Sequence, residues 1–311
     1  MATPAKTKRA NIDPARIVFG CGGFGGIGSI PELIGHGEDE QRAFELLDEA
    51  VAYGITQFDT ANTYANGLSE EILGRWIRKQ EAGLRDRIRV STKVGNPNSK
   101  RVGAGPLSRE DIAFHLHQSL TRLGIARVDI YYIHQPDSET PLEETAEALA
   151  RALRLGKIAG VGLSNVDAAY VRNFLAVCDS GLREAVRFVQ NEFHFLDSSD
   201  RSELLPLVQQ HGMSYAAFSP LAGGLLTGKY NFGAQAPSGS RVQLRPGPYE
   251  RFLNQDTFAI ISDFIEGAKS EGMTPSERAL RFVLDEPGVS AALIGPRKIE
   301  HIKDTGLTRL A

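Results

Sequence analysis

The stretch ITQFDTANTYANGLSEEILGRWIRKQEAGLRDRIRVSTK, residues 55–93, predicts two parallel strands joined by a helix. ITQFD and RIRVSTK are short, largely apolar runs, and each ends in a charged residue. The segment between them has helical spacing, with Ser69 as a candidate N-cap for a helix that begins at Glu70 and Gly74 on its packed face. Parallel neighbouring strands need a crossover connection of this kind.

The same alternation of strand and helix continues on both sides of this stretch. Further strands are predicted at 17–21, 128–134, 158–164, 186–191, 213–219 and 289–295. Further helices are predicted at 38–53, 108–123, 142–155, 167–179, 200–211, 256–270 and 275–285, with another starting after the last strand. A Gly/Pro-rich insertion covers residues 222–249. Eight strand–helix units favour a closed α/β barrel, the (β/α)8 TIM barrel, over an open sheet.

Composition is that of a globular protein with no nucleic-acid or membrane partner. The chain has 311 residues, 41% hydrophobic and 23% charged, with a net charge of -3 and no apolar run near the roughly 20 residues that span a bilayer. Residues 1–14 are basic but lack an apolar core, so we expect a disordered tail rather than a secretory signal, followed by one barrel domain over 15–311. Two cysteines, Cys21 and Cys178, are too few for a disulfide framework, and we expect a cytoplasmic protein.

Polar residues stand at the ends of most of the predicted strands. These residues are Asp59, Lys93, His134, Ser164, Gln190 and Ser219. An unpaired charge is costly in a buried strand interior, whereas the carboxyl ends of barrel strands open onto the active-site face. A shared site at that face therefore explains the pattern better than coincidence.

The glycine run GCGGFGGIG contains a G-x-G-x-x-G pattern at Gly20, Gly22 and Gly25. In a dinucleotide-binding βαβ unit, a helix opens directly behind this pattern. Here IGSIPEL follows, with Pro31, and no helical periodicity begins before Glu38. We therefore interpret the run as a strand end where the backbone approaches a flat ligand closely, which glycine permits.

Six ordered motifs between about Arg16 and Asp304 resemble those of the aldo-keto reductases. The motifs are FDT…Y…G.SE..LG from residue 58, STK at 91–93, IHQPD at 133–137, GLSN at 162–165, VQNE at 189–192 and FSPLAGGLLTGKY at 218–230. The chain is most similar to the branch that contains bacterial general reductases and potassium-channel β subunits. The resemblance implies an oxidoreductase that interconverts carbonyl and alcohol groups on small molecules with NADP(H), and no metal.

The chemistry of carbonyl reduction fits four of these residues, namely Asp59, Tyr64, Lys93 and His134. Reduction needs a proton at the carbonyl oxygen, and a tyrosine hydroxyl with an ordinary pKa near 10 is a poor acid at pH 7. Bringing such a pKa to about 7 takes roughly 4 kcal/mol, which one ammonium about 4 Å away supplies at an effective dielectric near 20. Lys93 is the available cation, Asp59 would hold it, and His134 would orient the carbonyl oxygen.

The resemblance also implies which residues bind the nicotinamide end of the cofactor. Those expected beside the nicotinamide ribose are Gly22, Gly23, Phe24 and Asp59. Those expected to hydrogen-bond the carboxamide are Ser164, Asn165 and Gln190. Phe218 stands where the family places an aromatic ring that stacks on the nicotinamide, although a core aromatic is the alternative.

The remaining cofactor residues are expected along the pyrophosphate and adenosine. Those expected beside the pyrophosphate are Ser219, Pro220, Leu221 and Gly223, with Lys229 as its cation and Arg241 as a weaker candidate. After the last strand, Gly295, Arg297 and His301 match the adenosine-end motif. A guanidinium forks onto two phosphate oxygens, so Arg297 favours NADP(H). The family has Gln at position 301 and Asn at position 305, where this chain has His301 and Thr305, so NAD(H) stays open.

Two other functions remain open at this point. One is an NAD(P)-dependent sugar or polyol dehydrogenase, and the other is a redox-sensing accessory subunit like the channel-β relatives. The loop 93–108 is expected to border the substrate pocket, with Lys100 and Arg101 as its anchors for an anionic group. Relatives usually continue beyond the position of Ala311, so we expect either an open pocket or a shortened chain. Neither the substrate nor the oligomeric state follows from the sequence.

Overall fold

The computed structural model describes residues 10–310 and contains the predicted closed barrel of eight parallel strands. The strands are β1 (Ile17–Gly20), β2 (Gln57–Asp59), β3 (Arg89–Val94), β4 (Val128–Ile133), β5 (Ile158–Ser164), β6 (Val186–Glu192), β7 (Ser214–Phe218) and β8 (Val289–Ile294). They pair in chain order, and β8 closes on β1. The predicted TIM barrel and the rejection of an open dinucleotide-binding sheet are therefore confirmed.

Helices surround the barrel and supply the crossovers. They are α1 (Glu40–Ala52), α2 (Leu68–Lys79), α3 (Ala82–Arg85), α4 (Arg109–Leu123), α5 (Leu142–Arg154), α6 (Ala168–Val177), α7 (Ser180–Ala185), α8 (Leu204–Gln210), α9 (Arg241–Leu244), α10 (Gln255–Ser270), α11 (Pro275–Leu284) and α12 (Ile299–Lys303). Aspartate N-caps begin several of them: the carboxylates of Asp39, Asp167 and Asp179 accept backbone N–H bonds in the first turns of α1, α6 and α7. No helix of residues 10–310 is long and apolar enough to cross a membrane.

Strands buried on both faces produce the core, as expected for a parallel sheet covered by helices. On β3, every residue after Arg89 is buried, and Trp76 of α2 packs edge-on against Phe58 of β2. Gly74 lets α2 approach α4, because a β-carbon there would overlap the carbonyl oxygen of Arg122. This packing fixes the strand ends that carry the polar residues.

Three local predictions are wrong in detail. Ser69 does not cap α2: the N-cap is Gly67, and the Ser69 hydroxyl is buried and donates to the carbonyl of Cys21 at 2.9 Å. The helix expected over 167–179 ends at Val177, and α7 follows as a separate helix with its own cap at Asp179. The helix expected over 200–211 begins at Leu204, after a short 3-10 turn.

The folded chain starts upstream of the predicted boundary at residue 15. Residues 1–9 of the expected tail lie outside the described residues. Ile12 is buried in the barrel core, and the carbonyl of Ala10 accepts a hydrogen bond from Arg281 at 3.0 Å. Asp13 caps a 3-10 turn over Pro14–Arg16 that leads into β1.

The insertion over 222–249 lies beside the loop that follows β6. It contains a 3-10 segment at Ala222–Thr227 and helix α9, and a second 3-10 segment spans its end at Gly247–Phe252. Its apolar side chains form a second core cluster with residues of α10 and α11. Arg251 ties it to the β6 loop, with bonds to Glu192 at 3.1 Å and to Asp197 at 2.7 Å.

Candidate active site

The four residues predicted to be catalytic lie together at the carboxyl ends of β2, β3 and β4. Lys93 donates to a carboxylate oxygen of Asp59 and, at 2.8 Å, to the carbonyl of Thr60. Its ammonium also lies 3.3 Å from the hydroxyl oxygen of Tyr64. Both members of the ion pair are buried, with side chains only 1% and 2% exposed. Burial opposes the charge on Lys93, but Asp59 and Tyr64 outweigh it and raise the pKa of Lys93.

Asp59 is held by two further donors, which orient it toward the lysine. Ser91 Oγ donates to its second oxygen at 2.7 Å, and Gln190 Nε2 donates to the same oxygen at 3.1 Å. Ser91 and Lys93 are two residues apart on β3 and therefore point to the same side of the strand. One carboxylate thus accepts hydrogen bonds from three side chains on two other strands.

His134 follows β4 and faces Tyr64 edge-on, with ring centroids 5.8 Å apart and an interplanar angle of 81°. Burial, with a contribution from the charge of Lys93, lowers the pKa of His134 to about 3. The imidazole is therefore neutral at physiological pH. Its Nδ1 is buried and has no partner among residues 10–310. A neutral imidazole carries one N–H donor, which can orient a carbonyl oxygen beside Tyr64.

Tyr64 lies in a turn that only an unusual backbone can form. Ala65, Asn66 and Gly67 have φ angles of 47°, 55° and 93°, three consecutive residues in the left-handed region. At Gly67 a side chain would also crowd Arg122, whose Nε would lie 2.8 Å from an added β-carbon. A strained turn of this kind persists only when its surroundings fix it, and here it sets the position of the tyrosine ring.

The residues expected at the carboxamide lie next to this group. The Ser164 hydroxyl donates to the carbonyl of Gln190 at 2.7 Å, and the Asn165 amide donates to the carbonyl of His134 at 2.7 Å. Asn165 has a φ of 56° and an exposed side chain at the barrel mouth. Their hydrogen bonds link β4, β5 and β6 and hold this part of the site together.

The first loop places Gly22 and Gly23 beside polar residues of the site, whereas the Phe24 side chain points into the core. Gly22 lies against Tyr64: a β-carbon there would be 3.4 Å from the tyrosine ring. Gly23 lies against Glu38, whose carboxylate a β-carbon would overlap. The Phe24 side chain is buried in the core, with its ring centroid 5.8 Å from that of Phe19, so only its backbone is left to face the barrel mouth.

The residues expected beside the pyrophosphate follow β7 in one tight turn. Ser219 has a φ of 55°, and the turn brings Pro220, Leu221 and Gly223 to the barrel mouth beside Phe218. Gly223 has a φ of 65°, and a β-carbon there would overlap the ring of Tyr249 from the insertion. Phe218 is half-buried and pairs with Glu192 in the register of β6 and β7.

Four cationic side chains lie near one another beyond this turn, namely Lys229, Arg241, Arg297 and Lys298. Burial lowers the pKa of Lys229, and the charges of Arg241, Arg297 and Lys298 lower it further. Burial and the charge of Arg297 likewise lower the pKa of Arg241, which is half-buried. Within residues 10–310, neither Lys229 nor Arg241 forms an ion pair with a carboxylate. Packing like charges together costs free energy, so the cluster is suited to a polyanionic ligand.

Arg297 differs from the other cations because its guanidinium is engaged by the protein. It donates to a carboxylate oxygen of Glu38, to the carbonyl of Gly239 at 2.8 Å and to the carbonyl of His36 at 3.3 Å. Its own backbone N–H donates to His301 Nδ1 at 3.2 Å, while Gly295 is exposed just after β8. The adenosine-end residues are thus adjacent, but the fork expected to grip a phosphate already holds other acceptors.

The sequence analysis did not predict Glu38 and Ser91 as site residues, although a sequence feature points to each of them. Glu38 is followed by Asp39, which is the N-cap of α1, so Glu38 lies outside the helix assigned to it. A charged residue next to a cap, in a loop that faces the barrel mouth, is a candidate for the site. Ser91 lies two residues before Lys93 and shares its face of β3.

Arg101 and Lys100, the two residues expected to anchor an anionic group of the substrate, have different surroundings. Arg101 forms a bidentate pair with Glu139, at 2.5 and 2.8 Å, so it is not a free anchor. Lys100 lines a cavity of about 390 Å³, together with residues of the loops after β1, β2 and β3 and of α4. Its polar lining residues are Ser29, Asn62, Thr63, Asn66, Asn98, Ser99, His115, Gln118 and Arg122. Hydroxyl and amide groups therefore dominate the polar wall.

This fold and site define an aldo/keto reductase, and comparison with known proteins agrees. The model of the aldo/keto reductase family matches residues 16–306. Because this match covers most of the chain, the chain belongs to the aldo/keto reductase family.

Individual relatives include both enzymes and channel subunits. The chain is 34% identical over 277 residues to the L-glyceraldehyde 3-phosphate reductase of Escherichia coli (strain K12), covering 86% of this chain and 78% of that protein. It is also 34% identical over 272 residues to a probable voltage-gated potassium channel subunit beta of Arabidopsis thaliana, covering 86% and 81%. Among solved structures, a glycerol dehydrogenase from Gluconobacter oxydans matches with a TM-score of 0.75 at 26% identity, covering 95% of this chain and 88% of that one.

Proposed function

We propose that this protein is an NADP(H)-dependent reductase of aldehydes and ketones, which also runs in reverse, with Tyr64 as its general acid and base. The observation that carries the proposal is the contact of the Tyr64 hydroxyl with the buried Lys93 ammonium, 3.3 Å away. A cation at that distance stabilises negative charge on the tyrosine oxygen, so the hydroxyl can pass its proton to a carbonyl oxygen. Membership of the aldo/keto reductase family supports this reaction class.

Each of the other three residues has a separate part in this proton transfer. Asp59 keeps Lys93 charged and aimed, because it accepts from the ammonium and is itself fixed by Ser91. His134 is neutral and faces Tyr64, so its N–H can orient the carbonyl oxygen that receives the proton. Asp59, Lys93 and His134 are buried, and electrostatic interactions are stronger in such surroundings than in water.

The cluster of Lys229, Arg241, Arg297 and Lys298 supports a phosphate-bearing cofactor, and NADP(H) carries one phosphate more than NAD(H). When bound, that cofactor supplies or accepts the hydride. The two cysteines of the chain, Cys21 and Cys178, are buried and free, which supports our proposal of a cytoplasmic location.

Oxidation of a polyol or sugar is a second candidate direction. A relative in structure is a glycerol dehydrogenase, which supports a polyhydroxylated small molecule as the substrate. Cofactor preference distinguishes the two directions, because cells keep NAD oxidised and NADP reduced. A channel-β-like accessory role has less support, because all four proton-transfer residues are in contact here.

The experiment that tests the proposal compares Tyr64→Phe with Tyr170→Phe. Wild-type protein is assayed with NADPH and NADH against a panel of aldehydes, ketones and sugars, and nucleotide binding is titrated separately. Tyr64→Phe should lose turnover by more than a hundredfold and keep NADPH binding within threefold, because the loss of a general acid removes about 10²–10⁴ in rate. Tyr170 is the control, since its hydroxyl has no hydrogen-bond partner among residues 10–310. Turnover of Tyr64→Phe within tenfold of wild type would remove Tyr64 as the proton donor.

A further inference from the structure

The Arg297 guanidinium joins three separate segments of the barrel mouth. Through Glu38 and the carbonyl of His36 it holds the loop after β1, and through the carbonyl of Gly239 it holds the insertion. Its Nε, Nη1 and Nη2 each have a protein acceptor. A guanidinium has five N–H groups, so one remains on Nη1 and one on Nη2, and a phosphate that takes them shares Arg297 with Glu38, the only charged acceptor of the three.

Glu38 itself is only partly satisfied. Its side chain is 5% exposed, one oxygen accepts from Arg297, and the other is buried with no donor among residues 10–310. A buried carboxylate oxygen without a hydrogen bond is costly. The arrangement is complete only when a donor reaches this oxygen, and a bound ligand can supply one.

The position of Glu38 indicates which ligand that is. The backbone N–H of Glu38 donates to the carbonyl of Gly23 at 2.8 Å, so its free oxygen lies against the loop that carries Gly22 and Gly23. Its charge also reaches Arg241 in the cationic cluster. A carboxylate in a groove lined by cations repels an added phosphate but accepts a hydrogen bond from a ribose hydroxyl.

We propose that Glu38 sets the choice between the two nicotinamide cofactors. Its free oxygen accepts a hydrogen bond from a ribose hydroxyl that both cofactors carry, and its charge opposes the 2′-phosphate of NADP(H) beside Arg297. The surrounding cations favour NADP(H), and Glu38 limits that preference so that NAD(H) is also bound. This inference rests on the proposed use of a nicotinamide cofactor.

The test is the replacement Glu38→Gln, which keeps the shape of the side chain and removes its charge. Binding of NADPH and NADH, and of 2′-phospho-ADP-ribose and ADP-ribose, is measured by calorimetry at one fixed salt concentration. Glu38→Gln should tighten both phosphorylated ligands about tenfold or more and change the unphosphorylated ones less than threefold, as expected for a charge-assisted contact. Glu40→Gln is the control, because Glu40 lies two residues away and pairs with Arg75 at 2.8 Å on the surface.

The outcomes separate this inference from the proposed function. Wild-type protein that binds none of the four ligands contradicts the proposed cofactor altogether. A folded Glu38→Gln whose ratio of NADH to NADPH dissociation constants equals that of the wild type contradicts the role of Glu38 alone. If Glu38→Gln does not fold, Glu38→Asp draws the carboxylate back from Arg297 by one methylene, and the same ratio should rise at least threefold. An unchanged ratio in Glu38→Asp would then overturn the inference.

Discussion

Replacing Lys93 with methionine tests the ion pair on which the proposed mechanism depends. Lys93 and Asp59 are almost fully buried, and removal of one partner of such a pair typically costs about 3–5 kcal/mol of stability. Asp59 would keep its bonds from Ser91 at 2.7 Å and Gln190 at 3.1 Å, so we expect the lower end, about 3 kcal/mol. Asp59→Asn should cost a similar amount, because it leaves the Lys93 ammonium buried without a counter-charge.

The effect on the rate follows from the distance between Lys93 and Tyr64. A charge 3.3 Å from the phenolate oxygen, at an effective dielectric near 20, contributes about 5 kcal/mol, or more than a thousandfold in rate. Lys93→Met removes this contribution and leaves Asp59 as an uncompensated negative charge nearby, which opposes the phenolate further. We expect Asp59→Asn to lose less activity, since Lys93 remains.

The double mutant is the decisive measurement, because residues that act as a unit have non-additive effects. In urea unfolding, Lys93→Met/Asp59→Asn should be more stable than the sum of the single losses predicts, by at least about 2 kcal/mol. In steady-state kinetics it should lose far less than the product of the single losses. The pH profile of turnover should move to higher pH whenever Lys93 is absent.

Lys269→Met is the matched control for the loss of a lysine. Lys269 pairs with Glu266 at 2.6 Å on the surface, where an ion pair is worth at most about 1 kcal/mol. Additive losses in stability and rate, with an unchanged pH profile, would show that Lys93 and Asp59 do not act together on Tyr64 and would refute the assignment.

Two further predictions concern the cofactor groove and acid stability. Arg297→Ala should weaken NADPH binding about tenfold to a hundredfold more than NADH binding in a titration, because it removes a charge-assisted contact and leaves Glu38 unpaired; equal losses would give Arg297 a purely structural role. The pKa of His134 is about 3 in the folded chain and has its usual value of about 6.5 in the unfolded chain. As the pH falls below about 6.5, the unfolded chain therefore takes up the proton first, and the free energy of unfolding decreases between pH 6.5 and 3. Between pH 6.5 and 4.5, the free energy of unfolding of His134→Asn should therefore decrease by about 2.5 kcal/mol less than that of the wild type. His117→Asn, at an exposed position, is the control and should behave like the wild type. Equal pH dependence in all three proteins would contradict a buried neutral imidazole at position 134.

The barrel and the meeting of Asp59 with Lys93 could be predicted because both depend on short-range rules. A strand that is apolar throughout and ends in Asp59 or Lys93 has one acceptable place for that charge, the open end of the barrel. Since parallel strands in a closed barrel end at the same face, two such charges on neighbouring strands meet there without any further information. The contact between Asp59 and Lys93 follows from the alternation of strand and helix alone.

The phosphate end of the site could not be predicted to the same depth, because loops rather than strands position it. Arg297 had the expected residue type and motif, yet its partner depends on how the loop after β1 folds back onto Gly23. That path is set by the N-cap at Asp39, which leaves the neighbouring Glu38 outside the helix and free to reach Arg297. The sequence pattern predicts a helix there and so assigns both acidic residues to it.

The same contrast explains why the two ends of the site respond differently to substitution. At the proton-transfer end, Asp59 already accepts from Lys93, Ser91 and Gln190, so its geometry is complete before a ligand binds, and a mutation there removes a preformed interaction. At the other end, Glu38 has an oxygen without a donor among residues 10–310, and a phosphate bound to Arg297 would share the guanidinium with the Glu38 carboxylate. By our proposal, the single charge at position 38 therefore changes which cofactor is preferred and leaves the Asp59–Lys93 pair intact.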